Sequence, residues 1–219
     1  MSKQFWAVIA VIILVVAGII FTTNKQKSSE NGGSNSSVSA TNHVRGQGST
    51  GVVLVEYGDF QCPACEAYYP IIEQVYEKYQ GQITFQFRNF PLTTIHQNAF
   101  AGARAAEAAA LQGKFWEMHQ ALYTEANWTT WSNSQNPKPY FEQYAKALGL
   151  NVTKFDSDYS SDKVNDTVRA DLAAGQKLGI QGTPTFFLND KQVANAPQNV
   201  EDWSKLIDAA IKSKQNADI

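Results

Sequence analysis

The chain has little cysteine, little histidine and little net charge. Among its 219 residues there are two cysteines and three histidines, and the formal net charge is −2. Both cysteines lie in one motif, so none remains for a structural disulfide elsewhere in the chain. His43, His96 and His119 show no paired spacing, which argues against a zinc site. Residues 1–48 carry a charge of +3 and the remainder −5, and a mildly acidic domain argues against nucleic acid as a partner.

A long apolar run lies near the N-terminus. Residues 5–21 are 17 uncharged, strongly apolar residues, which is the short end of the range for a membrane-spanning helix. A secretory signal is usually shorter, and no Ala-x-Ala cleavage pattern follows. We therefore predict an uncleaved signal anchor over residues 1–21. Lys3 on one side faces Lys25 and Lys27 on the other, so charge alone does not fix its orientation.

The rest of the chain divides by composition. Residues 22–50 are rich in Ser, Asn, Gly and Thr, which predicts a flexible tether. Hydrophobic residues make up 43% of the chain and aromatic residues 12%, enough for one sizeable core. We place that domain at residues 51–213 and a short tail at residues 214–219.

The two cysteines lie in the Cys-Pro-Ala-Cys motif of residues 62–65, directly after the run 52–57. That run is apolar except for Glu56, which is typical of a strand covered on both faces. Helical spacing of apolar residues follows the motif. Unpaired N–H groups at a helix start favour the thiolate of Cys62, and Cys65 lies one turn along, within reach of the same sulfur. We predict Cys62 as the attacking nucleophile and Cys65 as the resolving thiol.

The remaining patterns predict an order of strand, helix, strand, helical block, strand, strand and helix, with the first two strands parallel. The strands are predicted at residues 52–57, 82–90, 185–188 and 192–193, and a hairpin turn at residues 189–190. Helices are predicted from residue 62 to about residue 80 and at residues 98–112, 114–123, 140–148, 152–178 (with a break) and 200–211, and a loop carries Trp128 and Trp131.

Four features together resemble a known family. They are the motif of residues 60–65, the segment 178–187 with Thr183-Pro184, the segments 90–96 and 115–119, and the position of Pro184, 119 residues after Cys65. They resemble the DsbA-type thiol:disulfide oxidoreductases, which have a thioredoxin fold with an inserted helical block. The resemblance covers residues 52–211 and implies an α/β domain with its insert at about residues 94–180.

The resemblance also implies roles for further residues. Pro184 would be cis and, with Thr183, would bind an extended substrate strand; the alternative is an ordinary trans-proline turn. Glu56 would be a buried acid that relays protons for Cys65; the alternative is a residue that reaches solvent from the strand edge. The dipeptide Pro63-Ala64 departs from the most strongly oxidising members, which carry a histidine there.

The sequence thus predicts a single-pass cell-membrane protein whose extracytoplasmic domain exchanges disulfides with cysteine-containing exported proteins. No metal or organic cofactor is expected, and the family implies a quinone-linked membrane partner that reoxidises the protein. Two alternatives stay open. One is a reductase or isomerase of the same fold, and the other is an anchored binding or chaperone module whose cysteines form a structural disulfide.

Overall fold

A computed structural model describes residues 39–217, so the predicted anchor at residues 1–21 and the tether up to residue 38 lie outside the described part. Within residues 39–217, no helix is long and apolar enough to cross a membrane. The elements in chain order are β1 (His43–Arg45), β2 (Val52–Gly58), α1 (Pro63–Tyr79), β3 (Ile83–Asn89), α2 (Ala99–Ala110), α3 (Phe115–Tyr123), α4 (Glu125–Ser132), α5 (Lys138–Ala147), α6 (Val152–Tyr159), α7 (Asp162–Lys177), β4 (Thr185–Leu188), β5 (Lys191–Gln192) and α8 (Val200–Ala217).

The strands form one sheet in the order β1-β3-β2-β4-β5. β2 and β3 are parallel and are joined by α1, as the sequence predicts, and the other neighbours are antiparallel. Thr185 at the start of β4 pairs with Tyr57 near the end of β2. This register brings the residues that precede β4 to the end of β2 from which α1 begins.

Apolar side chains cover both faces of the sheet. On one face, Leu54 of β2 and Phe186 of β4 pack in one cluster with residues of α1 and α8, among them Val75 and Trp203. On the other face, Tyr57 and Phe187 pack with residues outside those two helices. Helices α2 to α7, inserted between β3 and β4, hold a third cluster that reaches the cysteines. The mixed sheet with an inserted helical block agrees with the predicted fold.

The hairpin after β4 also follows the prediction. Asn189 and Asp190 adopt the left-handed backbone conformation, with φ values of 49° and 64°. Asparagine and aspartate tolerate this region better than most residues, which is why the pair is a turn signal. The turn reverses the chain into β5, which is paired with β4.

The start of the domain differs from the prediction. The sequence predicts a tether through residue 50, whereas β1 is an edge strand of the sheet. His43 Nε2 lies 2.7 Å from Glu107 Oε1, and the N–H and hydroxyl of Thr41 both donate to the Asp171 carboxylate at 2.6 Å. These partners lie 64 and 130 residues further along the chain, so the composition of the segment does not indicate them.

Two other regions differ as well. Trp128 and Trp131 lie on helix α4, where the sequence predicts a loop. The Trp128 indole N–H donates to Phe60 O at 2.8 Å, and the Trp131 indole N–H to Leu122 O at 2.9 Å. These bonds, to residues 68 and 9 positions earlier in the chain, stabilise a helix that has no clear apolar face of its own. The last helix runs to Ala217, past the predicted end at residue 211, so most of the predicted tail is helical.

Candidate active site

The two cysteines lie where strand β2 leads into helix α1. Cys62 is the N-cap residue of α1, with extended backbone angles, and Pro63 occupies the first turn, where a missing N–H breaks no helical bond. The Cys62 side chain is 6% exposed and Cys65 is fully buried. Both are free thiols. Both residues are therefore buried, but Cys62 at the helix start retains a small exposed fraction and Cys65 retains none.

The residues that precede β4 lie next to the cysteines. The peptide bond between Thr183 and Pro184 is cis, as the resemblance implies. The Cys62 thiol donates to the carbonyl oxygen of Thr183, with 3.4 Å between sulfur and oxygen. The Thr183 hydroxyl is buried and has no hydrogen-bond partner among the described residues. That hydroxyl is therefore free to donate to the sulfur once Cys62 has lost its proton.

The surroundings of Cys62 favour its thiolate. Its pKa is lowered from 9.0 to about 5, chiefly because the Cys65 thiol donates a hydrogen bond to it. Burial opposes the shift, while Thr183 and the backbone N–H groups of Cys65 and Ala64 support it. The donors at the helix start thus stabilise the charged sulfur, as the sequence predicts for this position.

The pKa values of Cys65 and Glu56 are raised, in contrast to that of Cys62. Burial raises the Cys65 pKa well above 9.0, and the neighbouring sulfur of Cys62 adds to the rise. Glu56 is 4% exposed, which excludes the solvent-reaching alternative for this side chain. Burial raises its pKa from 4.5 to about 8, against a lowering effect of the Arg45 charge. Glu56 and Cys65 are thus a buried acid and a buried thiol next to Cys62.

Sequence analysis missed Asp59, which lies between Glu56 and Cys62. Its buried carboxylate accepts from the Gln61 and Leu92 N–H groups at 2.8 and 2.9 Å, and His96 Nδ1 lies 2.7 Å away. Asp59 is assigned no role from the sequence. A signal was available, because Asp59 is an acid close to the redox motif, but its partners Leu92 and His96 lie more than 30 residues away.

The insert also contacts the residues before Cys62. The side-chain amide of Gln61 donates to Ser132 O at 2.7 Å and accepts from the N–H of Asn98. His119 is buried among aromatic rings, as expected of a structural histidine, and its Nε2 has no partner among the described residues. In residues 39–217, no group of three or more His, Cys, Asp or Glu side chains is arranged to hold a metal ion.

A sequence model described as thioredoxin matches residues 38–209. The chain belongs to the thioredoxin family. A crystal structure of a thioredoxin-like oxidoreductase from Silicibacter pomeroyi DSS-3 is similar, with 25% identity, 78% of this chain and 92% of that chain covered, and a TM-score of 0.65. Wolbachia pipientis alpha-DsbA1 is 18% identical, with 81% and 94% covered and a TM-score of 0.67. The fold is thus a DsbA-like thioredoxin fold with a helical insert.

A curated relative has an unrelated name. The Na(+)/H(+) antiporter NhaA 1 of Mycolicibacterium gilvum is 39% identical over 153 residues, which are 69% of this chain and 24% of that protein. The chain therefore spans about a quarter of the length of the curated relatives it matches first. The name describes those longer proteins.

Proposed function

We propose that this protein is a thiol:disulfide oxidoreductase in which Cys62 attacks and Cys65 resolves. The proposal rests chiefly on the contrast between the two sulfurs. Cys62 lies at the helix start with a pKa of about 5, and Cys65 lies buried one turn along with a raised pKa. A low pKa on the attacking thiol supplies the reactive thiolate at neutral pH, and the buried neighbour limits the lifetime of a mixed disulfide.

The exchange balances without a cofactor. In the oxidising direction, a client thiolate attacks the Cys62 sulfur of the Cys62–Cys65 disulfide, and Cys65 leaves and takes up a proton. A second client thiolate then attacks the client sulfur of the mixed disulfide, and Cys62 leaves as the thiolate. The client loses two electrons and the protein gains them. Stabilisation of the departing Cys62 thiolate favours this direction.

The proposal includes the setting in which the reaction takes place. We propose that the domain lies outside the cytoplasm, anchored by residues 5–21, and acts on cysteine-containing exported proteins. A quinone-linked membrane protein would reoxidise it. These elements rest on the apolar N-terminal run and on the family resemblance. Antiporter activity is not proposed, because the chain corresponds to a quarter of the proteins with that name.

The equilibrium potential of the Cys62–Cys65 couple tests the chemistry. The protein is equilibrated in glutathione buffers of known ratio, and its free thiols are alkylated and counted. An oxidant should give a potential clearly above that of thioredoxin, about −270 mV. A potential at or below that value would favour the reductase alternative. Thiols that fail to exchange with glutathione at all would favour the binding or chaperone module.

A separate experiment tests the location. Protease is added to intact cells whose outer layers have been removed, and the domain is detected by an antibody. Degradation is expected if residues 39–217 lie outside the cytoplasm. Full protection in intact cells, with degradation after lysis, would contradict the proposed location without affecting the proposed chemistry.

A further inference from the structure

Asp59 contacts both cysteines of the motif through its backbone. Its carbonyl oxygen accepts a hydrogen bond from the Cys62 N–H at 3.0 Å. Its own N–H points at the buried sulfur of Cys65, with 3.5 Å between nitrogen and sulfur. One residue thus holds the start of the helix on one side and donates to the resolving thiol on the other.

The side chain of Asp59 fixes this backbone conformation. Its Oδ1 accepts from the N–H of Gln61, two residues on, which closes a local turn directly before Cys62. Its Oδ2 accepts from the Leu92 N–H, and His96 Nδ1 lies within hydrogen-bond distance of the same oxygen. The carboxylate is fully buried, and two backbone donors and the His96 ring hold it in one orientation.

We propose that Asp59 is a positioning residue for the resolving step, because its carboxylate holds the turn that aims its backbone N–H at the sulfur of Cys65. The proposal rests on the proposed function. In resolution, Cys65 loses its proton to solvent, and its thiolate attacks the Cys62 sulfur of the mixed disulfide and breaks the bond between Cys62 and the client. A new Cys62–Cys65 bond forms and the client leaves as a thiolate.

Negative charge therefore develops on Cys65 in a buried position, where a donor already in place is most effective. Burial raises the pKa of Cys65, and the Asp59 N–H lowers it. The other titratable groups that act on this sulfur are Cys62 at the start of α1 and Glu56 on β2, and both raise its pKa. Burial raises the pKa of Tyr123 of α3, the charges of Cys65 and Cys62 add to the rise, and its buried hydroxyl has no partner among the described residues.

The test follows the two steps with one reagent. Reduced protein is mixed with 5,5′-dithiobis(2-nitrobenzoate). Attack by Cys62 releases one equivalent of coloured thiolate, and attack by Cys65 on the resulting mixed disulfide releases the second. Asp59→Ala should slow the second release about tenfold, roughly the effect of losing one hydrogen bond to a charged group, and shift its pH profile upward. The first release should change far less.

Two variants distinguish a positioning role of Asp59 from a general loss of structure. Asp59→Asn keeps an oxygen that accepts from the Gln61 N–H, so it should retain most of the second-release rate. Asp171→Ala is the matched control, since Asp171 is another fully buried carboxylate with several donors but it contacts neither cysteine. It should slow neither release selectively.

The outcomes that overturn the proposal are distinct from those that overturn the function. A wild-type protein that releases fewer than two equivalents contradicts both. Three results contradict the role of Asp59 alone. One is that Asp59→Ala releases two equivalents at unchanged rates. The others are that Asp59→Asn or Asp171→Ala slows the second release as much as Asp59→Ala does. If Asp59→Ala does not fold, NMR spectra of a Cys62→Ser variant replace it. The chemical shift of the Asp59 amide proton must then change as Cys65 ionises. A chemical shift that does not change overturns the proposal.

Discussion

Replacement of Glu56 by glutamine should remove a pH-dependent cost of folding. Burial raises the Glu56 pKa from 4.5 to about 8. The folded protein therefore binds this proton more tightly than the unfolded chain does, so the contribution of Glu56 to stability is greatest below pH 4.5 and is lost as the pH rises to 8. At about 1.4 kcal/mol per pKa unit, Glu56 lowers the free energy of unfolding by about 3 kcal/mol between pH 5 and pH 8.

The assay is urea unfolding of the oxidised protein at a series of pH values, because the disulfide removes the titration of both thiols. The difference in unfolding free energy between Glu56→Gln and wild type should grow by about 3 kcal/mol from pH 5 to pH 8. The glutamine amide adds N–H donors, and an unpaired buried donor costs about 1–3 kcal/mol at every pH. The test is therefore how the difference in unfolding free energy changes with pH, and not its value at any one pH.

A second variant checks the cause of the slope. Arg45 lowers the Glu56 pKa, and Glu73, which forms an ion pair with Arg45, raises it. Arg45→Met removes the first effect and leaves the second uncompensated, so the loss of stability should extend to higher pH. A difference between Glu56→Gln and wild type that stays flat from pH 5 to pH 8 would refute the reasoning from burial.

Three further predictions concern the cysteines directly. Absorbance of the reduced protein at 240 nm should show thiolate formation by Cys62 with a midpoint of about 5, and Thr183→Val should raise that midpoint by removing a donor; an unchanged midpoint would exclude the hydroxyl. Cys65→Ser should accumulate mixed disulfides with clients, seen as adducts on non-reducing gels, while Cys62→Ser should form none, and adducts through Cys65 would reverse the assignment. Ala64→His should make the redox potential more oxidising, and a lower potential would contradict the role assigned to the dipeptide.

The junction of β2 with α1 could be predicted because its signals are local. A run of β-branched residues, a proline at the first helical position and two cysteines one turn apart are all contained in residues 52–65. Pro184 was predicted cis from resemblance, and the structure agrees. The buried position of Glu56 is implied by the same resemblance, and the structure agrees.

The parts that could not be predicted depend on distant partners. β1 has three residues in a segment of polar composition, and Arg45 is held by Glu73 and by the rings of Tyr76 and Trp116. Helix α4 is hydrogen-bonded through the Trp128 indole N–H to the carbonyl oxygen of Phe60, two residues before Cys62. Composition and periodicity describe neighbours along the chain, so they favoured a tether and a loop at these two positions.

The absence of histidine between the cysteines has a smaller effect on Cys62 than the motif alone indicates. The groups that lower its pKa are the Cys65 thiol, Thr183 and the backbone N–H groups of Cys65 and Ala64. None of them depends on the side chain at position 64. A histidine there would add one donor to a thiolate that is already stabilised, so it would adjust the potential and not create the reactivity. This is why we expect an oxidant that is milder than its histidine-bearing relatives, and why the direction of electron flow depends on the helix start and the Thr183 loop together.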